Sequence, residues 1–369
     1  MTTIGFIIVA VMVLAYANGA NDNYKGVATL FGTGTTSYRL GLWWATVATL
    51  LGSITAVILA GSLLHHFTGK GLVPHELAGE AGYVTAVALG AGITVLVATR
   101  FGLPISTTHG LIGGLIGAGL AAGASIDGRQ LVAVFLLPLI ASPLLAIAST
   151  AMLYVVARRI GRWSNISAET CICVGRDVVE VVPAAQAAVA LERVRQLPVA
   201  VGNRVTCRRR YRGRVLGLDA SFLFDALHFL SAGLVSFGRG LNDTPKIAAL
   251  LLVAPRIGGA TATITVGVLI AVGGIISARR VAETMGHKIT PMSHGQGLTA
   301  NMVTGLIVLG ASPLGFPVST THVSCGSLFG LGGVTGRADR KMIAAIVASW
   351  LFTLPLAALL AAGSWCLVH

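Results

Sequence analysis

The chain has 369 residues, 54% of them hydrophobic and only 11% charged, with mean hydropathy +0.82. Soluble domains carry about 25% charged residues, so a water-soluble fold is excluded; apolar runs of helical rather than barrel-strand length mark a multi-spanning helical membrane protein. The formal net charge of +13 does not indicate nucleic acid, because twelve arginines crowd into one long polar segment between Arg158 and Arg214 with no aromatic stacking surface beside them.

In chain order, the first predicted span runs from Ile4 to about Leu30, with a polar island at Gly19 to Lys25. Met1 to Ala17 lacks a basic leader and runs straight into that island, so it reads as a retained span and not a cleaved signal. Further spans are expected at Leu42–Leu64, Tyr83–Thr99, from Pro104 to Ala122, and at Leu131–Val156. The Arg-rich segment follows, and its patches at Asp177–Val182 and Val199–Arg209 alternate as strands do. A sixth span, Leu218 to Lys246, carries a second island near its end; four more are expected at 260–277, 298–312, 317–333 and 343–360, about ten in all. This gives a first membrane repeat over 1–156, a cytoplasmic insert over 157–217 and a second membrane repeat over 218–369.

Charge orients the spans. With the N-terminus outside, twenty of the 26 Lys and Arg fall inside and three (Lys70, Arg129, Arg256) outside, a strong positive-inside bias. Lys25, Arg239 and Lys246 lie in or beside the islands. Both termini are then outside and residues 157–217 cytoplasmic. Each half has five crossings, so related halves must run in opposite senses: an inverted-topology repeat with broken helices or hairpins and a site near the midplane.

Two motifs recur in the same order in both halves. Gly19-Ala20-Asn21-Asp22-Asn23-Tyr24-Lys25 is echoed by Gly240-Leu241-Asn242-Asp243-Thr244-Pro245-Lys246, and Pro104-Ile105-Ser106-Thr107-Thr108-His109 by Pro317-Val318-Ser319-Thr320-Thr321-His322. Ionisable groups at bilayer depth cost roughly 2.5–3.5 kcal/mol each on insertion scales, which marks them as functional. Proline suits a first helical turn, where N–H groups are unpaired and the dipole favours anions. The hydroxyls match both acceptor oxygens and P–OH donors without adding charge. The plainer role is to satisfy a helix start. Asp22 and Asp243 offer carboxylates to a cation or proton, and Asn21 and Asn242 offer amides. Lys25 and Lys246 each follow an aspartate by three residues, on the same face if the local backbone is helical, and can form a structural ion pair, bind an anion or stand where sodium would sit.

These four motifs, with Ser293-His294-Gly295-Gln296-Gly297-Leu298-Thr299-Ala300-Asn301, resemble the signatures of the inorganic phosphate transporter (PiT) family, bacterial branch. The resemblance implies secondary transport of inorganic phosphate with a cation, inverted repeats and a homodimer in the cell inner membrane. It implies a substrate-binding set of Asn21, Ser106, Thr107, Thr108, Asn242, Ser319, Thr320 and Thr321. Asp22, Asp243, Lys25 and Lys246 make the coupling-ion or proton set. No cofactor or metal is implied.

Sodium-coupled members have Asn where Lys25 stands. A fixed cation about 5 Å from a sodium ion repels it by roughly 3 kcal/mol at an effective dielectric of 20, so proton symport is expected over sodium. The alternatives are a sulfate permease of the same family or an anion channel; an enzyme is not expected, because the acids are few and show no metal-ligand spacing. Weaker candidates are the titratable His109 and His322, Asp225 with His228, and Gln296, Thr299 and Asn301 as pathway residues. Cys171, Cys173 and Cys207 are a thin zinc pattern.

Overall fold

The computed structural model describes residues 3–164, 170–174, 199–203, 216–254 and 257–368. It divides into two compact units, Met1–Tyr154 with His228–His369, and Val155–Leu227.

The helices of the first half are α1 (Thr3–Asp22), α2 (Ala28–Gly32), α3 (Tyr38–Leu59), the short α4 (Gly61–His66) and α5 (His75–Ala78), α6 (Ala81–Arg100), α7 (Thr107–Ala121), the short α8 (Gly128–Gln130), and α9 (Leu137–Trp163). A π-helical turn, Leu131–Leu136, leads into α9. Three strands follow, β1 (Thr170–Val174), β2 (Val199–Asn203) and β3 (Leu216–Asp219), in an antiparallel sheet of order β2-β1-β3. Ile172 lies opposite both Val201 and Leu218. The alternation expected around Val199 is therefore a strand, while the patch Asp177–Val182 lies outside the described residues, as do Cys207 and most of the arginine segment.

The second half comprises α10 (Ala220–Leu251), α11 (Gly259–Ser277), α12 (Arg279–Glu283) running into a second π-helical turn (Thr284–Lys288), α13 (His294–Ala311), α14 (Thr320–Thr335) and α15 (Arg340–Val368). Ser293 and Gln296 close α13 with a capping box, and Gly336, at φ 69°, ends α14 in the left-handed conformation that costs glycine nothing.

Among the described residues, six helical stretches are long and apolar enough to cross a bilayer: Ile4–Gly32, Tyr38–Leu59, Ala81–Arg100, Gly128–Trp163, Gly259–Ser277 and Arg340–Leu367. Four of the expected spans do not meet that standard, for physical reasons. α7 has 15 residues and α14 has 16, about 22–24 Å of helix against a core of about 30 Å. α10 carries Asp225, Arg239, Asp243 and Lys246 along its length, and α13 is interrupted by polar side chains. Large apolar side chains such as Ile58, Leu351 and Phe352 stand on outer faces, as lipid contact requires.

Glycine sets how the two islands are packed. A Cβ on Gly19 would sit 1.9 Å from Ile270 O, and one on Gly273 would sit 2.1 Å from Tyr16 O, so α1 and α11 touch backbone to backbone. The second half repeats this: Gly240 faces Thr49 O at 2.1 Å and Gly52 faces Phe237 O at 1.9 Å, joining α10 to α3. Close approach of this kind needs small residues at the crossing.

Candidate functional site

Both Ser-Thr-Thr segments are helix starts. Ser106 caps α7, its hydroxyl accepting from His109 N at 3.2 Å, and Ser319 caps α14 by the same bond from His322 N at 3.2 Å. Pro104 and Pro317 do not occupy the first turn as expected; each lies two residues before its cap, outside the helix. There they fix the approach of the loop, and the serine supplies the cap. The plainer role is thus met by Ser106 and Ser319, while Thr107, Thr108, Thr320 and Thr321 are free to reach elsewhere.

The first Asn-Asp island lies where α1 ends, before the 3-10 turn Lys25–Val27. Lys25 Nζ donates to Asp22 Oδ1, to Asn21 Oδ1 at 2.8 Å, to Ile105 O at 2.9 Å and to Thr321 Oγ1 at 2.6 Å. Asp22 Oδ2 accepts from Asn18 Nδ2 at 2.9 Å and Thr107 Oγ1 at 3.1 Å. Asn21 Nδ2 donates to Thr99 Oγ1 at 2.8 Å and Leu103 O at 3.0 Å, while Ile105 N donates to Asn21 Oδ1 at 3.2 Å.

The second island does not break its helix. α10 runs on through Pro245, which only removes one ladder bond. The contacts nevertheless match. Lys246 Nζ donates to Asp243 Oδ1 at 3.4 Å, to Val318 O at 2.7 Å and to Thr108 Oγ1 at 3.0 Å. Thr320 Oγ1 donates to Asp243 Oδ2 at 3.0 Å, as Thr107 does to Asp22. Asn242 Nδ2 donates to Val318 O at 2.9 Å and Asp243 Oδ1 at 3.0 Å.

The clusters are stitched by an exchange. Lys25, of the first copy, bonds Thr321 of the second; Lys246, of the second, bonds Thr108 of the first. All twelve residues singled out from sequence are buried.

Sequence gave Arg239 no role, and the structure places it at the centre. It is 1% exposed and its guanidinium donates to Asn18 Oδ1, Asn23 Oδ1 and Thr49 Oγ1, each at 3.3 Å. Among the described residues Arg239 Nε has no acceptor and no carboxylate lies within ion-pair distance. Asn18 was also missed. A signal for both exists: each stands three residues before its island's asparagine, and the two touch each other. Among the described residues, the buried, formally charged side chains are Asp22, Lys25, Arg239, Asp243 and Lys246, three cations against two carboxylates. A buried charge needs a counter-charge, and among these five the formal sum leaves one cation without one.

A family model described as "Phosphate transporter family" matches residues 18–361. The chain belongs to the phosphate transporter family. Curated members of the phosphate transporter family similar to it include the "Probable low-affinity inorganic phosphate transporter" of Rhizobium meliloti, 29% identical, with 97% of this chain and 94% of the relative covered. Another is "Inorganic phosphate transporter 2-1, chloroplastic" of Arabidopsis thaliana, 28% identical over 94% of this chain and 69% of that protein. Among solved structures, "The sodium-dependent phosphate transporter" superposes with TM-score 0.74 at 20% identity, covering 100% of this chain and 99% of that one, which is a likeness of fold. These are transporters, not enzymes.

The secondary candidates are placed as follows. His109 and His322, one from each copy, meet with ring centroids 4.4 Å apart, and His322 packs at 3.9 Å from Trp350. Among the described residues neither ring nitrogen of His322 has a hydrogen-bond partner, contrary to a satisfied interior histidine. His228 Nε2 lies 3.0 Å from Thr29 Oγ1. Gln296 accepts from Ser293 N at 2.8 Å, capping α13, and donates to Tyr154 OH of α9 at 3.0 Å, while Thr299 donates to Gly295 O at 2.8 Å within α13. Cys171 and Cys173 lie on β1.

Proposed function

We propose that this protein moves inorganic phosphate across the cell inner membrane by proton symport, with alternating access between two inverted five-segment repeats, termini outside and residues 157–217 cytoplasmic. The observation that carries this reading is the reciprocal exchange of Lys25–Thr321 and Lys246–Thr108 between copies. Contacts that match residue for residue are what two copies of one unit give when they face each other across a shared site.

Phosphate is held by the two lysines, by Thr107, Thr108, Thr320 and Thr321, and by the surplus charge that Arg239 brings. Ser106 and Ser319 retain a hydroxyl donor beyond their cap. Asn21 and Asn242 hold the loops that carry Ile105 and Val318. A proton arriving on Asp243 or Asp22 neutralises the carboxylate, which leaves its lysine unpaired and ready for an anion. Proton and phosphate thereby bind together. A sodium ion beside Asp22 would meet Lys25 in its place, the repulsion being roughly 3 kcal/mol at about 5 Å.

The test is uptake of labelled phosphate into proteoliposomes with Na⁺ and pH gradients imposed separately. Accumulation driven by the pH gradient without Na⁺ is expected, and strict Na⁺ dependence would reject proton coupling. Sulfate competing equally for uptake would favour a sulfate permease, and flux without accumulation a channel.

A further inference from the structure

A second basic feature lies outside the buried cluster. Tyr16 of α1, Thr99 and Arg100 of α6, Ser277 of α11 and Arg279 and Arg280 of α12 line a half-open cavity of about 660 Å³. Its charge is three arginines against one acid, Glu283. Glu283 is engaged by Arg279 Nε at 3.1 Å, so Arg100 and Arg280 set the sign. Arg280 spends one nitrogen, Nη1, on Arg100 O at 3.0 Å and keeps the rest of its fork. Arg100 is exposed, with no side-chain bond drawn to the protein among the described residues. Hydroxyls complete the wall, Tyr16 OH standing 2.7 Å from Ser277 Oγ.

Two lining residues tie this cavity to the first island. Ala20 is the residue before Asn21, and Thr99 accepts the Asn21 amide at 2.8 Å. A guanidinium fork with neighbouring hydroxyls is the donor set that recognises a phosphate group bidentately. We infer that this cavity is a peripheral phosphate-group site, one layer outside the buried cluster, with Arg100 and Arg280 as its anion ligands. It stands independently of the roles given to Lys25, Asp22, Lys246 and Asp243.

The phosphate group can come from free inorganic phosphate or from an anionic lipid headgroup. The full-length protein, purified in nonionic detergent and stripped of lipid, is titrated with inorganic phosphate beside R100Q/R280Q and R100K/R280K. For free phosphate, the wild type shows a weaker second site that the Gln pair lowers about a hundredfold, two tenfold losses of a charged hydrogen bond, and that the Lys pair restores in part. For a headgroup, the wild type retains phosphatidylglycerol through purification from nanodiscs containing it, and the Gln pair does not. Either result supports the site. Equal phosphate binding and equal lipid retention by wild type and the Gln pair overturn it. Elution of the Gln pair as a monodisperse peak, with the tighter phosphate site intact, separates loss of this site from misfolding. An Asp243→Asn variant that keeps the peripheral site but loses uptake separates it from the transport reading.

Discussion

Consider Lys25→Met. Of the groups that Lys25 touches, Ile105 O keeps Thr321, Asn21 Oδ1 keeps Ile105 N, and Asp22 Oδ2 keeps Asn18 and Thr107. Thr321 Oγ1 loses its donor but still donates to Ile105 O, whereas Asp22 Oδ1 is left with no partner, so the main cost is that of one uncompensated buried carboxylate, about 3–5 kcal/mol. Asp22→Asn alone strands the ammonium at a similar cost. The double variant removes both charges and gives up only neutral hydrogen bonds, about 1 kcal/mol each. The single effects therefore overshoot the double by about 2–3 kcal/mol or more, at the upper end for residues that act as a unit. Equilibrium unfolding in mixed detergent micelles measures all three. The same cycle at Asp243 and Lys246, 3.4 Å apart, should give a smaller coupling. Single effects that add to within about 0.5 kcal/mol would refute the pairing and, with it, the count of three cations to two carboxylates.

Other outcomes follow from the same contacts. Thr108→Val and Thr321→Val each remove one exchanged hydroxyl and should cost about 1 kcal/mol in unfolding; labelled-phosphate uptake should fall by more than that destabilisation explains. Arg239→Gln removes the surplus cation, so phosphate binding by isothermal titration should weaken at least tenfold, while helix content by circular dichroism stays unchanged. Ser106→Ala loses the α7 cap at about 1 kcal/mol, and Ser106→Asn restores it; uptake recovered by Asn assigns the serine to the cap alone. Gly19→Ala forces a Cβ to within 1.9 Å of Ile270 O, and gel filtration in detergent should show aggregated rather than monodisperse protein.

The islands and the Ser-Thr-Thr starts were legible because each occurs twice and is polar where lipid-depth sequence should be apolar. Repetition also hid something. Asn18 and Arg239 occupy matching positions with different side chains, so no repeated motif announced them, and only the fold brings Arg239 Nη1 to Asn18 Oδ1. Thr99 and Ser312 are a similar pair, each reaching the asparagine of its own copy, yet each reads as an ordinary end of an apolar run. The inverted-repeat reading implied broken helices at the midplane, yet the second island lies in an unbroken one. α10 continues because a proline removes one bond and close packing against α3 holds the remainder. At α7 and α14 hydropathy ran past the caps, and the helices themselves, at 15 and 16 residues, are too short to cross alone.

The glycine contacts have a mechanical corollary. Where α1 meets α11 and α10 meets α3 with no side chain between them, there is no compliant layer to shear, and each couple must travel as a single girder. Deformation is then confined to seams closed by side chains, and the lysine–threonine links are such a seam. In the alternating-access cycle proposed above, loosening one of them would open a mouth on one side without slackening the girders.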